Sequence, residues 1–381
     1  MQNINSKLPE VSTTIFTVMS QLASQYEAIN LSQGFPNFEV SPELINLVST
    51  AMQKGYNQYA PMPGLLSLRE VIAQKTYSLY NRGYHPESEI TITSGATQAI
   101  FTIIATFINP GDEVIIFKPA YDSYEPSIKL FGGTIVPIQL SAPSFKVDWQ
   151  EVASKITSKT KMVIINSPHN PSGSILSNDD MLQLEKLLKN TDIILLSDEV
   201  YEHIVFDGQP HQSAALFPGL AERAFITASF GKTFHITGWK TGYCLAPSDL
   251  MKEFRKVHQF NIFCSNHPTQ YALSEYIKTP ENYLSLPDLY QAKRDLFLSL
   301  IKDSRFKFTP ASGTYFQVLN YSDITNEGDV AFAQRLTKEY KIASIPVSVF
   351  NLNNQDDKVL RFCFAKTEDT LKRAAEVLCR I

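Results

Sequence analysis

Apolar and polar positions along the chain follow two rhythms. Residues 13–29 (TTIFTVMSQLASQYEAI) carry apolar side chains at helical spacing, and LSQGFPNF then breaks the rhythm at Gly34 and Pro36. SPELINLVSTAMQ opens as a helix does, with Ser41 as cap and Pro42 at the first helical position. A loop, NQYAPMPG, leads into a second amphipathic helix over 65–81. From residue 89, short apolar runs alternate with helical patterns: EITITSG (89–95) before ATQAIFTIIATFI, EVIIF (113–117) before 121–131, and TIVPIQL before WQEVASKI. KMVIINS (161–167) precedes 178–189, and DIILLSDE (192–199) precedes a short turn and AFITASF (224–230). This alternation predicts an α/β fold with a mostly parallel sheet covered by helices on both faces, and sites at the strand ends. After about residue 275 the rhythm changes. A long helix with Lys293-Arg294-Asp295 leads to TYFQVLNY and VLRFCFA, which read as antiparallel strands. We expect an N-terminal segment (1–41) packed with a small domain, a large domain (42–275) and a small C-terminal domain (276–381).

Composition narrows the class. The chain has 381 residues, 44% hydrophobic and 19% charged, which suits a soluble protein of about two domains. A net charge of −4 with no basic block argues against nucleic acid and against an anionic membrane surface as partners. No apolar stretch reaches the roughly 18 residues of a membrane helix, and MQNINSKLPEVSTT lacks the charged-then-apolar pattern of a secretion signal. Cys244, Cys264, Cys363 and Cys379 are far apart with no CxxC, so they read as reduced thiols of a cytoplasmic protein, with no zinc site and no disulfide framework.

Five strand-end signals carry the chemistry. Lys232, in Ser229-Phe230-Gly231-Lys232-Thr233, follows the apolar run AFITAS and sits among small residues. A desolvated lysine loses its proton more easily and becomes a nucleophile suited to an imine with a carbonyl. A P-loop is excluded, since GxxxxGK[ST] needs Gly at 226 and the chain has Ile226. Ser94-Gly95-Ala96-Thr97-Gln98 marks a strand turning into a helix whose N–H groups can cradle a phosphate. Tyr121, in PAYDSYEP, stands where it can stack on a flat ring. Asn170, in NSPHNPSG, offers donors to an oxygen anion. Asp198 ends the buried run IILL and needs a cation or donor. Lys240, just after Gly238-Trp239, brings a second cation near Lys232, as for an anion held between them. Taken singly, each has a plain alternative: a surface lysine, an ordinary turn, a core tyrosine, a turn asparagine or a capping aspartate.

Jointly, SGATQA, PAYDSYEP, NSPHNPSG, SDEVYE and SFGKTFHITGWKTGY, in this order, resemble class I aminotransferases that use pyridoxal phosphate. The resemblance spans nearly the whole chain. TTIFTVMS, INLSQGFPNF, NQYAP, GTYFQVLNY and LRFCFAK are most similar to the group of bacterial methionine aminotransferases and to the kynurenine aminotransferase and glutamine transaminase K group. It implies the fold type I architecture: a mixed, mostly parallel seven-stranded sheet in the large domain and a smaller α+β domain. Lys232 then forms the Schiff base with pyridoxal 5′-phosphate and serves as general acid and base, and Asp198 pairs with the pyridinium nitrogen. Tyr201 and Asn170 bond the 3′ oxygen, and Tyr121 stacks on the ring. Gly95, Ala96, Thr97, Ser229 and Lys240 hold the phosphate, with lysine at 240 where many relatives have arginine. Arg361, flanked by Leu360 and Phe362, clamps the substrate α-carboxylate with Asn170 and the backbone at Gly34; the residue alone reads rather as a structural ion pair. Phe16 and Phe263 are candidates for an apolar substrate pocket. Tyr59 would reach the phosphate of a second subunit, implying a homodimer with shared sites. His169 is given no catalytic role. The implied reaction moves an amino group from methionine, glutamine, an aromatic amino acid or kynurenine to a 2-oxo acid. Alternatives are a cysteine-S-conjugate β-lyase on the same scaffold and a non-catalytic cofactor-binding regulator.

Overall fold

The computed structural model describes residues 5–381. The first four residues of the expected 1–41 segment and of the stretch read for a leader lie outside the described residues. The strands are β1 (Ile29–Asn30), β2 (Ile90–Thr93), β3 (Glu113–Lys118), β4 (Thr134–Gln139), β5 (Thr160–Asn166), β6 (Ile194–Asp198), β7 (Ala224–Ser229), β8 (Gly242–Leu245), β9 (Phe316–Asn320), β10 (Ile342–Ala343), β11 (Ile345–Pro346) and β12 (Val359–Cys363). Seven form one sheet in the order β2-β8-β7-β6-β5-β3-β4. All its pairings are parallel except those of β8, which runs against both β2 and β7.

The continuous apolar runs read as central strands for a physical reason. Side chains alternate across a strand, so a run that is apolar at every position must be covered on both faces. Ile115, Phe117, Val163, Ile165 and Leu195 enter one apolar cluster, while Val114, Ile116, Met162, Ile164 and Leu196 enter another. Ile100, Ile103 and Ile104 of the helix Gly95–Phe107, with Met251 and Phe254 of the helix Ser248–Asn261, cover the second face. Each such buried side chain stabilises the fold by about 1.5–3 kcal/mol.

The C-terminal part has its own sheet, β11-β12-β9, fully antiparallel, as TYFQVLNY and VLRFCFA predict. The N-terminal segment joins it: β1 pairs in parallel with β10, and the N–H of Cys363 donates to the carbonyl of Leu31 at 2.8 Å. Three details differ from the sequence reading. The first helix spans Ile15–Gln25, because Ile29 and Asn30 leave the helical rhythm to pair with Ile342 and Ala343. The helix His267–Tyr276 runs one residue past the position where the pattern was expected to change. Strand β8 was unforeseen. Its four residues, GYCL, are too few to show a period, and the glycines at 238 and 242 mask it.

Gly242 faces Thr93 of β2 and Ser229 of β7. A Cβ there would lie 2.5 Å from the Ala228 carbonyl oxygen and 3.1 Å from the Ala96 nitrogen, both backbone atoms that cannot swing away. Gly242→Val is therefore expected to lower the urea midpoint with a loss of about 1–3 kcal/mol. A change within about 0.5 kcal/mol would contradict this packing.

Candidate active site

The carboxyl ends of β2, β3, β5, β6 and β7 share one edge of the large sheet, because these strands all run the same way. β8 runs oppositely and so begins at that edge. Its register puts Gly242 between Thr93 and Ser229, which delivers Lys240 and Thr241 beside the ends of β2 and β7. A cavity of about 130 Å³ lies there. Of the sequence-predicted residues, Gly95, Ala96, Thr97, Tyr121, Asn170, Asp198, Tyr201, Ser229, Lys232 and Lys240 line it. Three larger hollows, of about 740, 450 and 400 Å³, contain neither Lys232 nor Asp198. Chemistry, not volume, picks out the smaller one.

Asp198, the last residue of β6, is 4% exposed. The Tyr124 hydroxyl donates to its Oδ2 at 2.5 Å, and the Val200 N–H approaches Oδ1 at 3.4 Å. Burial pushes its pKa up to about 6 against the opposing pull of these donors. Asn166, at the end of the neighbouring β5, fixes the edge further. Its Nδ2 donates to the Asp198 carbonyl at 2.9 Å, and its Oδ1 accepts the Asn170 N–H at 2.9 Å.

Lys232 projects from a single helical turn, Phe230–Thr233, set directly on the end of β7. Its Nζ donates to the Gly34 carbonyl at 3.2 Å and stands 5.9 and 5.8 Å from the ring centres of Tyr201 and Tyr315. The same carbonyl accepts the Tyr315 hydroxyl at 2.6 Å. Burial first, then the positive charge of Arg361, lowers the lysine from 10.5 to about 8. Tyr201 is 2% exposed, and burial pushes its phenol above the ordinary range.

At the other end of the cavity the helix Gly95–Phe107 begins. Gly95 has φ +76°, a left-handed conformation that suits glycine, and the Lys240 Nζ lies 3.5 Å from where its Cβ would be. The Ser94 side chain does not cap the helix, so the N–H groups of its first turn stay open to an anion, with the Lys240 ammonium and Ser229 lining the same cavity.

Arg361 lies in the middle of β12 and is 1% exposed. Its Nη1 donates to Asn170 Oδ1 at 2.7 Å and its Nη2 to the Ser32 carbonyl at 2.9 Å. The guanidinium sits 3.9 Å from the Phe316 ring centre and 5.2 Å from that of Phe16. Among the described residues it forms no ion pair, and its buried Nε has no partner. A buried guanidinium with an orphan donor has the chemistry to take a carboxylate. Arg361, Phe16 and Gly34 do not themselves line the cavity; they adjoin it through the bonds of Arg361 to Asn170 and of Lys232 to the Gly34 carbonyl.

Tyr59 and Phe263 do not line the cavity. They meet edge-on at 5.4 Å on the outer surface, 82% and 46% exposed. His169 bonds Ser172 through Nδ1 at 2.6 Å and the Pro119 carbonyl through Nε2 at 3.0 Å, and burial lowers it to about 4. It is a neutral turn brace. The sequence reading missed Tyr124, Tyr315, Asn166 and the Ser32 carbonyl. Tyr124 and Asn166 stand inside motifs already singled out; Asn166 also ends β5, whereas Tyr124 opens the helix Tyr124–Leu130. Ser32 offers only a backbone atom, which no side-chain pattern reports.

The cavity thus combines a poised amine, a buried carboxylate and a cationic end, with Arg361 bonded to the lining residue Asn170 beside it. Comparison with known proteins gives the family. Residues 26–378 match the family model for aminotransferase class I and II. The chain is 48% identical to methionine aminotransferase of Escherichia coli, over 98% of this chain and 97% of that protein. It is 34% identical to human kynurenine–oxoglutarate transaminase 3, over 98% of this chain and 89% of the relative. A crystal structure of an E. coli protein with methionine aminotransferase function superimposes with a TM-score of 0.98 at 47% identity, covering 100% of both chains. The chain belongs to the class I and II aminotransferases and is an aminotransferase.

Proposed function

We propose that the chain transfers the amino group of methionine, or of a similar apolar, glutamine-like or aromatic amino acid, to a 2-oxo acid, using pyridoxal 5′-phosphate anchored on Lys232. The observation that carries this reading is the Lys232 amine, lowered to about 8 and facing Asp198, Tyr201 and Lys240 across one cavity. The donor set fits the cofactor. The helix start, Ser229 and Lys240 offer a phosphate cradle, Asp198 a partner for a protonated ring nitrogen, and Tyr121 a face for the ring. When bound, the cofactor supplies an aldehyde for the amine and an electron-withdrawing ring that stabilises negative charge at the substrate α-carbon.

The chain's own residues then divide the work. Lys232 would hold the cofactor covalently, and its Nζ, when free, would be the group placed to take the substrate α-proton. Asp198 holds the ring nitrogen protonated, its hydrogen bond from Tyr124 keeping the carboxylate oriented. Tyr201 and Asn170 bond the ring oxygen. Arg361, with its unpartnered Nε, takes the α-carboxylate, and Phe16 and Phe316 give that end an apolar wall. Support for methionine among the donors comes from the relative at 48% identity. Tyr59 and Phe263, turned outward, serve the cavity of a second copy in a two-fold dimer. We assign residues 42–275 to a cofactor-binding domain and 1–41 with 276–381 to a smaller one. We place the protein in the cytoplasm; among the described residues no helix is long and apolar enough to cross a membrane.

In the cofactor-free protein, the rate of acylation of Lys232 should rise with a midpoint near pH 8, and a midpoint near 10.5 would contradict the burial argument. Lys232→Ala should lose transamination by at least about 100-fold while still binding the cofactor reversibly, as followed by visible absorbance; retained turnover would remove Lys232 from its role. Arg361→Ala should raise the KM for the amino acid on the order of 10- to 100-fold. An unchanged KM would leave Arg361 a structural residue. A panel of amino acids, read by conversion of the bound cofactor to its amine form, ranks the donors. Pyruvate and ammonia released from a cysteine conjugate without any 2-oxo acid would favour the lyase instead.

A further inference from the structure

Behind the turn that carries Asp198 and Tyr201 lies a second set of charges, which the reaction as derived does not use. Residues 197–203 read Ser-Asp-Glu-Val-Tyr-Glu-His, and the three carboxylates among them, Asp198, Glu199 and Glu202, are all buried. Asp198 and Tyr201 line the cavity, whereas Glu199 and Glu202 do not. Glu199 accepts the Ser197 hydroxyl at 2.8 Å, the Ala214 N–H at 2.9 Å and His211 Nε2 at 2.8 Å. Glu202 accepts Lys75 Nζ at 2.6 Å and the hydroxyls of Tyr80 and Tyr243 at 2.9 Å each. Lys75 Nζ also bonds Tyr243 at 2.8 Å. Burial pushes the Glu202 carboxyl up, but Lys75 and His203 outweigh it and hold the group well below the ordinary range. His203, desolvated, is lowered to about 3.

An ion pair this deep is weak support for stability, because desolvation offsets the Coulomb attraction. Its geometry does more. Lys75 and Tyr80 belong to the helix Leu66–Tyr80 and Tyr243 to β8, so Glu202 ties the turn to two separate elements. The backbone closes the turn on both sides of Tyr201: the Glu202 N–H donates to the Glu199 carbonyl at 2.9 Å, and the Ile204 N–H to the Tyr201 carbonyl at 2.8 Å. Tyr201 therefore stands between two anchored carboxylates and can move only if one lets go.

We propose that Glu202 and Lys75 are positioning residues that fix the Tyr201 phenol at the cofactor cavity. This rests on the reading of Tyr201 as a cofactor-bonding residue. A displacement of about 1 Å at such a site costs on the order of 100-fold in rate. The pair's role is separable from stability, because removing both charges together avoids an orphaned buried ion.

The test uses the holoenzyme of Lys75→Met/Glu202→Gln, in which the glutamine oxygen still accepts from a tyrosine hydroxyl. The melting temperature should stay within about 3 °C of the parent. Turnover should fall roughly tenfold or more with the amino-acid KM little changed, and the pH at which the visible absorbance of the bound cofactor changes should move. If the double variant regains parental turnover and the parental absorbance midpoint, the pair is structural only and the proposal fails. Should the variant not fold, Glu202→Asp, which keeps the charge and shortens the arm, should shift the absorbance midpoint at unchanged melting temperature; no shift overturns the proposal. Tyr201→Phe separates the two levels of inference. If it leaves turnover and absorbance as in the parent, the reading of Tyr201 itself is wrong. If it impairs them, Glu202→Asp should add nothing on top of it, and an additive loss would show that Glu202 acts elsewhere.

Discussion

The site exists because the fold keeps Asp198, Lys232 and Arg361 out of water without letting any two of them pair. A buried charge is costly unless bonded, and direct pairing would be the cheapest remedy. Each is given a neutral partner instead: the Tyr124 hydroxyl for the aspartate, the Gly34 carbonyl for the lysine, and Asn170 with the Ser32 carbonyl for the arginine. Neutral partners satisfy part of each group's bonding and leave the rest for a ligand. The price appears in the shifted protonation of Asp198, up to about 6, and of Lys232, down to about 8. Both shifts carry the groups toward neutrality, where an incoming molecule meets reactive atoms and not a closed salt bridge.

The sheet's direction makes this arrangement possible. Parallel strands deliver their carboxyl ends to one edge, which brings Gly95, Tyr121, Asn166, Asp198 and Ser229 to one cavity from well-separated parts of the chain. A purely parallel sheet would send the start of β8 to the far side. By reversing that one strand, the fold brings Lys240 to the same edge, and Gly242 lets the strand lie against the start of the helix Gly95–Phe107.

Much of this was legible in the sequence. Long two-sided apolar runs such as KMVIINS and DIILLSDE have only one stable environment, so the central strands and the polar residues at their ends could be read directly. Short elements could not. GYCL has no period to detect, and β1, β10 and β11 are two residues each, defined by partners far along the chain. Site residues showed the same divide. Lys232, Asp198 and Asn170 stand out as polar groups after apolar strands, while the carbonyls of Gly34 and Ser32 contribute backbone atoms that any residue would supply. Phe263 shows a further limit: an aromatic near a predicted site in sequence sits on the outer surface, where a single chain offers it no ligand.

The bond between Arg361 and Ser32 joins residues 329 positions apart. The elements that carry Asp198, Lys232 and Lys240 all precede the end of β8 in the chain, whereas Tyr315 beside Lys232 comes later and β12 almost last. Along the chain, the residues proposed to hold an anion and a ring therefore come ahead of Arg361, the residue proposed to grip an amino acid.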